Sequence, residues 1–486
     1  MNLDPRQLTL LAIAAAVPAV AFLTNRSRSV LPWVGFTLSV QIFDTTVLTN
    51  LPAGRLVGLL FLPSAIVTAR RWMKLAPARA WMINFSYMAI LGCIFGFLMP
   101  WPDISGVRPI SLRAEGRTVI FLVRSLSDLS LTVFVMTQIT RPGAFEELRK
   151  WVVRGAAVSS AFGFVTLATQ IDFYSLITGM RLYAATDPRP RGLAFEPRGL
   201  GLACAHGLIL ILAKQTRTSR EWALLLLIAG GLAVSASASA LAAFLAALTV
   251  LVLIGSVRTR LALAGGAVIC TLLGAVLVGL FPSVAERSEH EVRVRIEGRG
   301  VVESNNPANA LEAMALHMDV FDSAASLFLI RHPLYAVIGT GPGLVTLPAS
   351  VHIPEGVYSE VFPVIDNPPS LGILRELANT GLLGVATWMF QVLVIFAAGR
   401  RLRGHGGLPF PPRTATIAFM AGAALYALQV GPSPFWAVFL GIGWAIADVA
   451  IAKRSRPSRH SEVELAEARS GAHPAQTGGD LAATPA

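Results

Sequence analysis

Apolar runs of bilayer-crossing length recur along almost the whole chain, and no other feature limits its fold as tightly. A transmembrane helix needs roughly 17–25 mostly apolar residues to cross a hydrocarbon core of about 30 Å. Candidate spans lie at 7–23, 30–49, 55–69, 81–100, 118–139, 151–171, 199–213, 221–234, 236–255, 261–281, 371–398, 414–430 and 435–452. Lipid offers backbone groups no partner, so such runs must fold as helices. The pattern predicts an all-α, polytopic membrane bundle of about 12–13 transmembrane helices. Charged residues make up only 14% of the chain, against about 25% in soluble domains.

One long polar stretch interrupts the pattern. Residues 1–281 hold the first ten spans, 282–370 form a large loop, 371–452 hold the last spans, and 453–486 read as a disordered tail. The breaks at Ser235–Ser237 and Gly431–Pro434 are short, so their flanking spans are expected to be hairpins. Basic residues set the orientation. Arg70, Arg71, Lys74 and Arg79 share one connection, Lys214, Arg217 and Arg220 another, and Arg400, Arg401, Arg403 and Arg413 a third. The positive-inside rule assigns these to the cytoplasm, which puts the tail there too and the 282–370 loop outside. The net charge of +12 is then a topology signal. It is scattered over several loops and forms no stripe, so nucleic acid is not an expected partner. Cys93, Cys204 and Cys270 all fall inside spans, and no disulfide framework is expected.

Several polar residues stand where chemistry is plausible at a membrane face. Arg189, Arg191 and Arg198 cluster with Glu196 in a Gly- and Pro-containing segment between two spans. Arginine's planar fork suits a phosphate or diphosphate; a solvated cluster facing lipid headgroups is the alternative. Arg124 and Asp128 lie four apart on one helix face inside a span, where ionisable groups turn toward the protein interior or a wet cavity. A structural ion pair is the alternative there. Arg287 and Arg293 open the large loop. Within it, Leu311, Met314, Met318, Phe321, Ala325 and Phe328 follow helical spacing, with Asn309 as N-cap, Glu312 three residues on and Pro333 as the stop. One amphipathic helix is expected. Gly339, Gly341 and Gly343 make a turn able to offer N–H groups to an anion or serve structure alone. His332, His352, Glu355, Glu360, Asp366 and Asn367 are the loop's candidate bases, with Asp366 favoured because it just precedes the next span. No Asp-x-Asp, zinc-ligand, Walker or Gly-x-Ser-x-Gly pattern occurs.

Two stretches together resemble the bacterial O-antigen ligase and polymerase superfamily. The first is Arg191-Gly192-Leu193-Ala194-Phe195-Glu196-Pro197, similar to that family's Arg-x-x-Gly-x-Phe-x-Glu-Pro but one residue shorter. The second runs from Arg331-His332-Pro333 through Gly339-Thr340-Gly341-Pro342-Gly343 to Asp366-Asn367, and on through Arg375-Glu376-Leu377-Ala378-Asn379-Thr380-Gly381-Leu382-Leu383-Gly384. The family carries His where this chain has Asp366, a departure that favours a polymerase over a strict ligase.

The resemblance implies a metal-independent glycosyltransferase, without cofactor, at the outer face of the bacterial inner membrane. Its donor would be an undecaprenyl-diphosphate-linked glycan. Its acceptor would be a second lipid-linked repeat unit, or lipid A-core in a ligase, and a chain-length regulator is an expected partner. In these terms Arg191, Arg198, Arg287, Arg293 and Arg124 would hold the diphosphate, Asp366 would be the base, and Glu196 would orient an arginine or share the base role. A flippase or transporter, and a noncatalytic scaffold, are the competing classes. Arg191→Ala is expected to abolish polymer and leave the protein in the membrane.

Overall fold

A computed structural model describes residues 5–24, 29–43, 46–48, 51–52, 58–99, 113–179, 189–255, 257, 260, 307–352, 369–429 and 434–454. Span 261–281, residues 455–486 of the tail, Arg287, Arg293, Glu355, Glu360, Asp366 and Asn367 lie outside the described residues. The described chain is helical. In order it forms α1 (Pro5–Leu23), α2 (Val30–Ser39), α3 (Leu62–Val67), α4 (Ala69–Trp72) and α5 (Ala76–Leu91, continued as a wider π-helix over Gly92–Leu98). Next come α6 (Ala114–Ile139), α7 (Ala144–Thr169), α8 (Phe173–Thr178), α9 (Pro197–Leu212), α10 (Ser219–Val234) and α11 (Ala238–Ile254). The polar segment supplies α12 (Ala310–Ala315), α13 (Val320–Arg331), α14 (Pro333–Ile338) and α15 (Thr346–Ala349), and the chain closes with α16 (Gly372–Leu402), α17 (Pro412–Leu428) and α18 (Phe435–Arg454). Five helices are long and apolar enough to cross a membrane: Ala76–Leu98, Ala114–Ile139, Ala144–Thr169, Gly372–Leu402 and Phe435–Arg454. They point to a multi-pass membrane protein.

Small residues set the packing. Lipid tails are as apolar as leucine, so membrane helices associate through close backbone approach and interhelical hydrogen bonds. α2 lies on α7 with Gly35 and Gly155 at the crossing; a Cβ on Gly155 would sit 2.8 Å from Phe36 O. Ser39 Oγ donates to Val152 O at 3.1 Å across the same contact. α18 packs on α6, where Thr132 Oγ1 donates to Ala437 O at 3.1 Å. Phe61 and Phe134 stack at 4.3 Å, and Trp72 and Trp444 at 6.0 Å, inside the main apolar core.

The basic connections meet at one end of the bundle. Arg71 pairs with Asp448 and donates to Thr140 Oγ1, Gly143 N donates to Pro409 O, and Arg149 reaches Glu221. These contacts join the C-terminal ends of α6 and α18 to the N-terminal ends of α7 and α10. The polar segment 307–352 caps the opposite end, where it packs on α5, α6 and the start of α16.

That cap contains the fold's main irregularity. α16 breaks at Gly381, whose φ of 63° and ψ of −151° belong to a region open essentially to glycine alone. The carbonyl of Ala378 accepts Thr340 N and Thr340 Oγ1, both at 2.8 Å, and that of Asn379 accepts Gly341 N at 3.1 Å. Asn379 Oδ1 takes Gly343 N at 3.0 Å. Tyr87 OH, on α5, donates to Ile338 O, and Arg117, on α6, donates to Gly343 O. The glycine turn thus plugs the broken helix and satisfies its backbone, the condition under which irregular chain survives at membrane depth.

The described chain is helical as expected, apart from a short two-stranded ribbon, Thr46–Leu48 with Leu51–Pro52. Three expectations are corrected. The span expected over 30–49 ends as helix at Ser39 and passes into a 3-10 turn at Gln41–Phe43. The amphipathic helix is two helices, because Asp319 accepts Phe321 N and restarts the chain as α13. Asn309 does cap α12, accepting Glu312 N at 2.9 Å. Finally, Ser237 caps α11 right after α10, but α11 packs on α17 and α9 rather than folding back on α10. α17 and α18 do pack on each other.

Candidate functional site

A cavity of about 130 Å³ lies inside the bundle, walled by α5, α6, α9, α16, α17 and α18. α6 delivers Arg124 and Asp128 from one face, as four-residue spacing dictates. The helix starts at Ala114, so Arg124 lies ten residues in, about 15 Å at 1.5 Å per residue. Its guanidinium stands 5.0 Å from the Phe121 ring centroid. The first turn of α16 supplies Arg375 and Glu376. Arg375 Nε donates to Pro369 O at 3.1 Å, and Glu376 takes Tyr426 OH at 2.9 Å and Asn84 Nδ2 at 3.3 Å. Two guanidiniums and two carboxylates therefore line one cavity.

The rest of the wall is aromatic and amide. Tyr426 stacks on Trp436 at 4.6 Å, and Trp388 lies beside Trp436 at 6.4 Å. Among the described residues, buried Asn84 Oδ1, Trp388 Nε1, Gln391 Oε1 and Gln429 Nε2 have no hydrogen-bond partner, and all four residues line this cavity. Burying a polar group without a partner costs several kcal/mol on apolar scales, so their convergence marks a site built for polar occupants. His206 lies flat on Phe435, with centroids 3.8 Å apart, and its Nδ1 sits 2.7 Å from Leu202 O. That bond sets Nδ1 as the protonated nitrogen. Asn379 links the cavity to the cap, since the side chain that lines it also accepts Gly343 N.

Arg191, Arg198 and Glu196 lie elsewhere, and Arg287, Arg293 and Asp366 are outside the described residues. Arg191 is only 4% exposed and is tied to Asp172, Ser175 and Phe195 O, over the Tyr174 ring. Burial would raise the Asp172 carboxyl, but the Arg191 and Ser175 hydrogen bonds and the guanidinium charge outweigh it and hold the group below its ordinary range. Arg191 thus fastens the segment before α9 to α8. Arg198 donates Nε–H to Glu196 at 2.7 Å, so the two side chains pair with each other. The glycine turn spends its N–H groups on Tyr335, Ala378 and Asn379 and offers no anion nest. Arg331 is paired with Glu312 at 3.0 Å, and Asp322 caps α16 by accepting Ser370 N at 2.6 Å and Leu371 N at 3.2 Å.

Sequence reasoning missed the amides and aromatics of the cavity. Asn84, Gln391 and Gln429 sit inside apolar runs, and that mismatch was the available signal. No group of residues able to hold a metal ion occurs among the described residues. No protein-family model matches the chain, and no curated protein matches it.

Proposed function

We propose that the chain is a membrane glycosyltransferase that joins lipid-diphosphate-linked oligosaccharide repeat units, an exopolysaccharide or O-antigen polymerase. One observation carries this reading: Arg124 and Arg375, Asp128 and Glu376, and an aromatic wall share a single cavity inside the helix bundle next to the motif on which the family resemblance rests. Arginine forks neutralise a diphosphate without metal, and aromatic faces suit sugar rings and prenyl chain alike. The cavity is smaller than the roughly 300–1,000 Å³ of typical ligand sites. It therefore takes the charged junction of the donor, with glycan and lipid tail extending beyond it.

In this reading the acceptor hydroxyl oxygen bonds to the anomeric carbon. The bond from that carbon to the diphosphate oxygen breaks, and its electron pair leaves with the lipid diphosphate. The hydroxyl proton passes to a carboxylate. Glu376 is our candidate within the cavity, and Asp366, ten residues before it, is the candidate from the loop. Arg124 and Arg375 stabilise the leaving charge, the kind of preorganised contact whose loss costs about 10²–10³ in rate. Arg191 and Arg198 move from diphosphate ligands to holding the outer segments in place.

The test is polymerisation in proteoliposomes containing lipid-diphosphate-linked repeat units. Wild type should lengthen the glycan, and Arg124→Gln or Arg375→Gln should slow it at least about 100-fold. Full rates in both variants would overturn the cavity assignment. A second reading, a transporter of lipid-linked glycan, is favoured by the helix broken at Gly381 beside a buried polar cavity, a recurrent transporter device. Movement of labelled substrate between leaflets with no new glycosidic bond would decide for it.

A further inference from the structure

A second recess, of about 520 Å³, opens at the basic end between the first turns of α7 and α10. Its floor is an ion network already balanced within the protein. Glu221 takes Arg149 Nη2 at 2.9 Å and Lys214 Nζ at 3.0 Å, and Arg149 Nε reaches Glu146 at 2.8 Å. Thr218 and Glu221 close a capping box at the start of α10. The walls differ. Lys150 and Arg154 stand one turn apart on α7, and Arg220 faces them from α10. None of the three forms an ion pair among the described residues. The lining charges leave a surplus of two cations.

Depth identifies the ligand. α7 has 26 residues, about 39 Å of helix at 1.5 Å per residue, against a hydrocarbon core of about 30 Å. The excess of roughly six residues falls at the N-terminal end, where Glu146, Glu147, Arg149 and Lys150 cluster, and the recess opens there. Trp151, on whose ring the Arg154 guanidinium rests at 4.8 Å, has the amphipathic character that seats tryptophan at the interface. Leu224 and Val153 give the recess an apolar inner edge. Lys150 and Arg220 at the mouth, tryptophan at the boundary, Arg154 one turn deeper with its guanidinium turned back over that ring, and aliphatic groups beside it match the profile of a glycerophospholipid.

We propose that this recess binds the phosphate headgroup of an anionic membrane lipid, with Lys150, Arg154 and Arg220 on the phosphate. The site stands apart from the intramembrane cavity and needs only that the chain cross a membrane. It is tested with the purified full-length protein, by thermal melting and native mass spectrometry, on titration with phosphatidylglycerol, phosphatidylcholine or inorganic phosphate. Phosphatidylglycerol should raise the melting temperature and stay bound, and the other two should do neither. Each cation near a headgroup contributes about 1 kcal/mol, or about fivefold. The triple change Lys150→Gln, Arg154→Gln, Arg220→Gln should thus weaken phosphatidylglycerol about 100-fold. Lys150 is exposed, so Lys150→Glu serves as the variant least able to disturb folding and should weaken it at least fivefold. Unchanged phosphatidylglycerol binding in Lys150→Glu overturns the proposal. So does an equal shift from inorganic phosphate alone, which would make the site one for a soluble anion.

Discussion

Replacing Gly381 by alanine tests the plugged helix break directly. The backbone there has φ 63° and ψ −151°, a conformation that costs a residue with Cβ about 1–3 kcal/mol. The new methyl would run into the Val337 carbonyl and come within 2.8 Å of Gly339 N. Both obstacles are backbone, so no side chain can swing aside. Relief requires the turn to lift off, which would break the Thr340, Gly341 and Gly343 N–H bonds to Ala378 and Asn379. At about 1 kcal/mol net for each, strain and lost bonds together come to about 4–6 kcal/mol. The assay is thermal unfolding of the detergent-solubilised protein, with Gly404→Ala as the control, since nothing lies within 4 Å of a Cβ at that position. Gly381→Ala should melt well below wild type and Gly404→Ala alongside it. Equal melting temperatures for the two variants would refute the idea that the turn and α16 are locked together.

Removing Asp172 should be as costly by another route. Asp172→Asn leaves the buried Arg191 guanidinium without its counter-charge, a loss of about 3–5 kcal/mol, measured as a drop in unfolding midpoint; wild-type stability would contradict it. Arg191→Ala should then lower the amount of folded protein, contrary to the sequence-based expectation that it stays in the membrane, and a stable variant failing only in the proposed polymerisation would restore that expectation. The pH dependence has a defined sign. Asp172 is held below its ordinary value of 3.8, so its contribution is full above that pH and fades as the solution is acidified through the folded value. The acid limb of the stability curve should shrink in Asp172→Asn. His352 is held below 6.5 by burial and by the Arg331 and His332 charges, against the pull of Glu312. The unfolded chain therefore takes up the proton first, and stability falls as pH drops below 6.5; His352→Gln should flatten the curve there.

Helix positions were legible in the sequence because lipid imposes one rule on every span. The ends of α1, α9, α11, α17 and α18 fall within about three residues of the apolar runs that announced them. α2 was misjudged because hydropathy does not register where a helix stops and a 3-10 turn begins. The split between α12 and α13 turned on one capping side chain, Asp319, inside a pattern whose periodicity alone reads as continuous. At the cavity, Arg124 and Asp128 were visible as charges in an apolar run. Glu376 and Arg375 were visible only as letters of a motif, and nothing local showed that they would meet α6. The inward turn of Arg191 depended on Asp172, nineteen residues earlier, and a cation's availability cannot be judged before its partner is known.

The clamp between 340–343 and 378–379 also fixes the rotational phase of the first turns of α16. A single residue inserted between Glu376 and Ala378 would swing Arg375 and Glu376 about 100° around the helix axis and aim them away from Tyr426 and Asn84. That insertion should abolish the function proposed for the cavity.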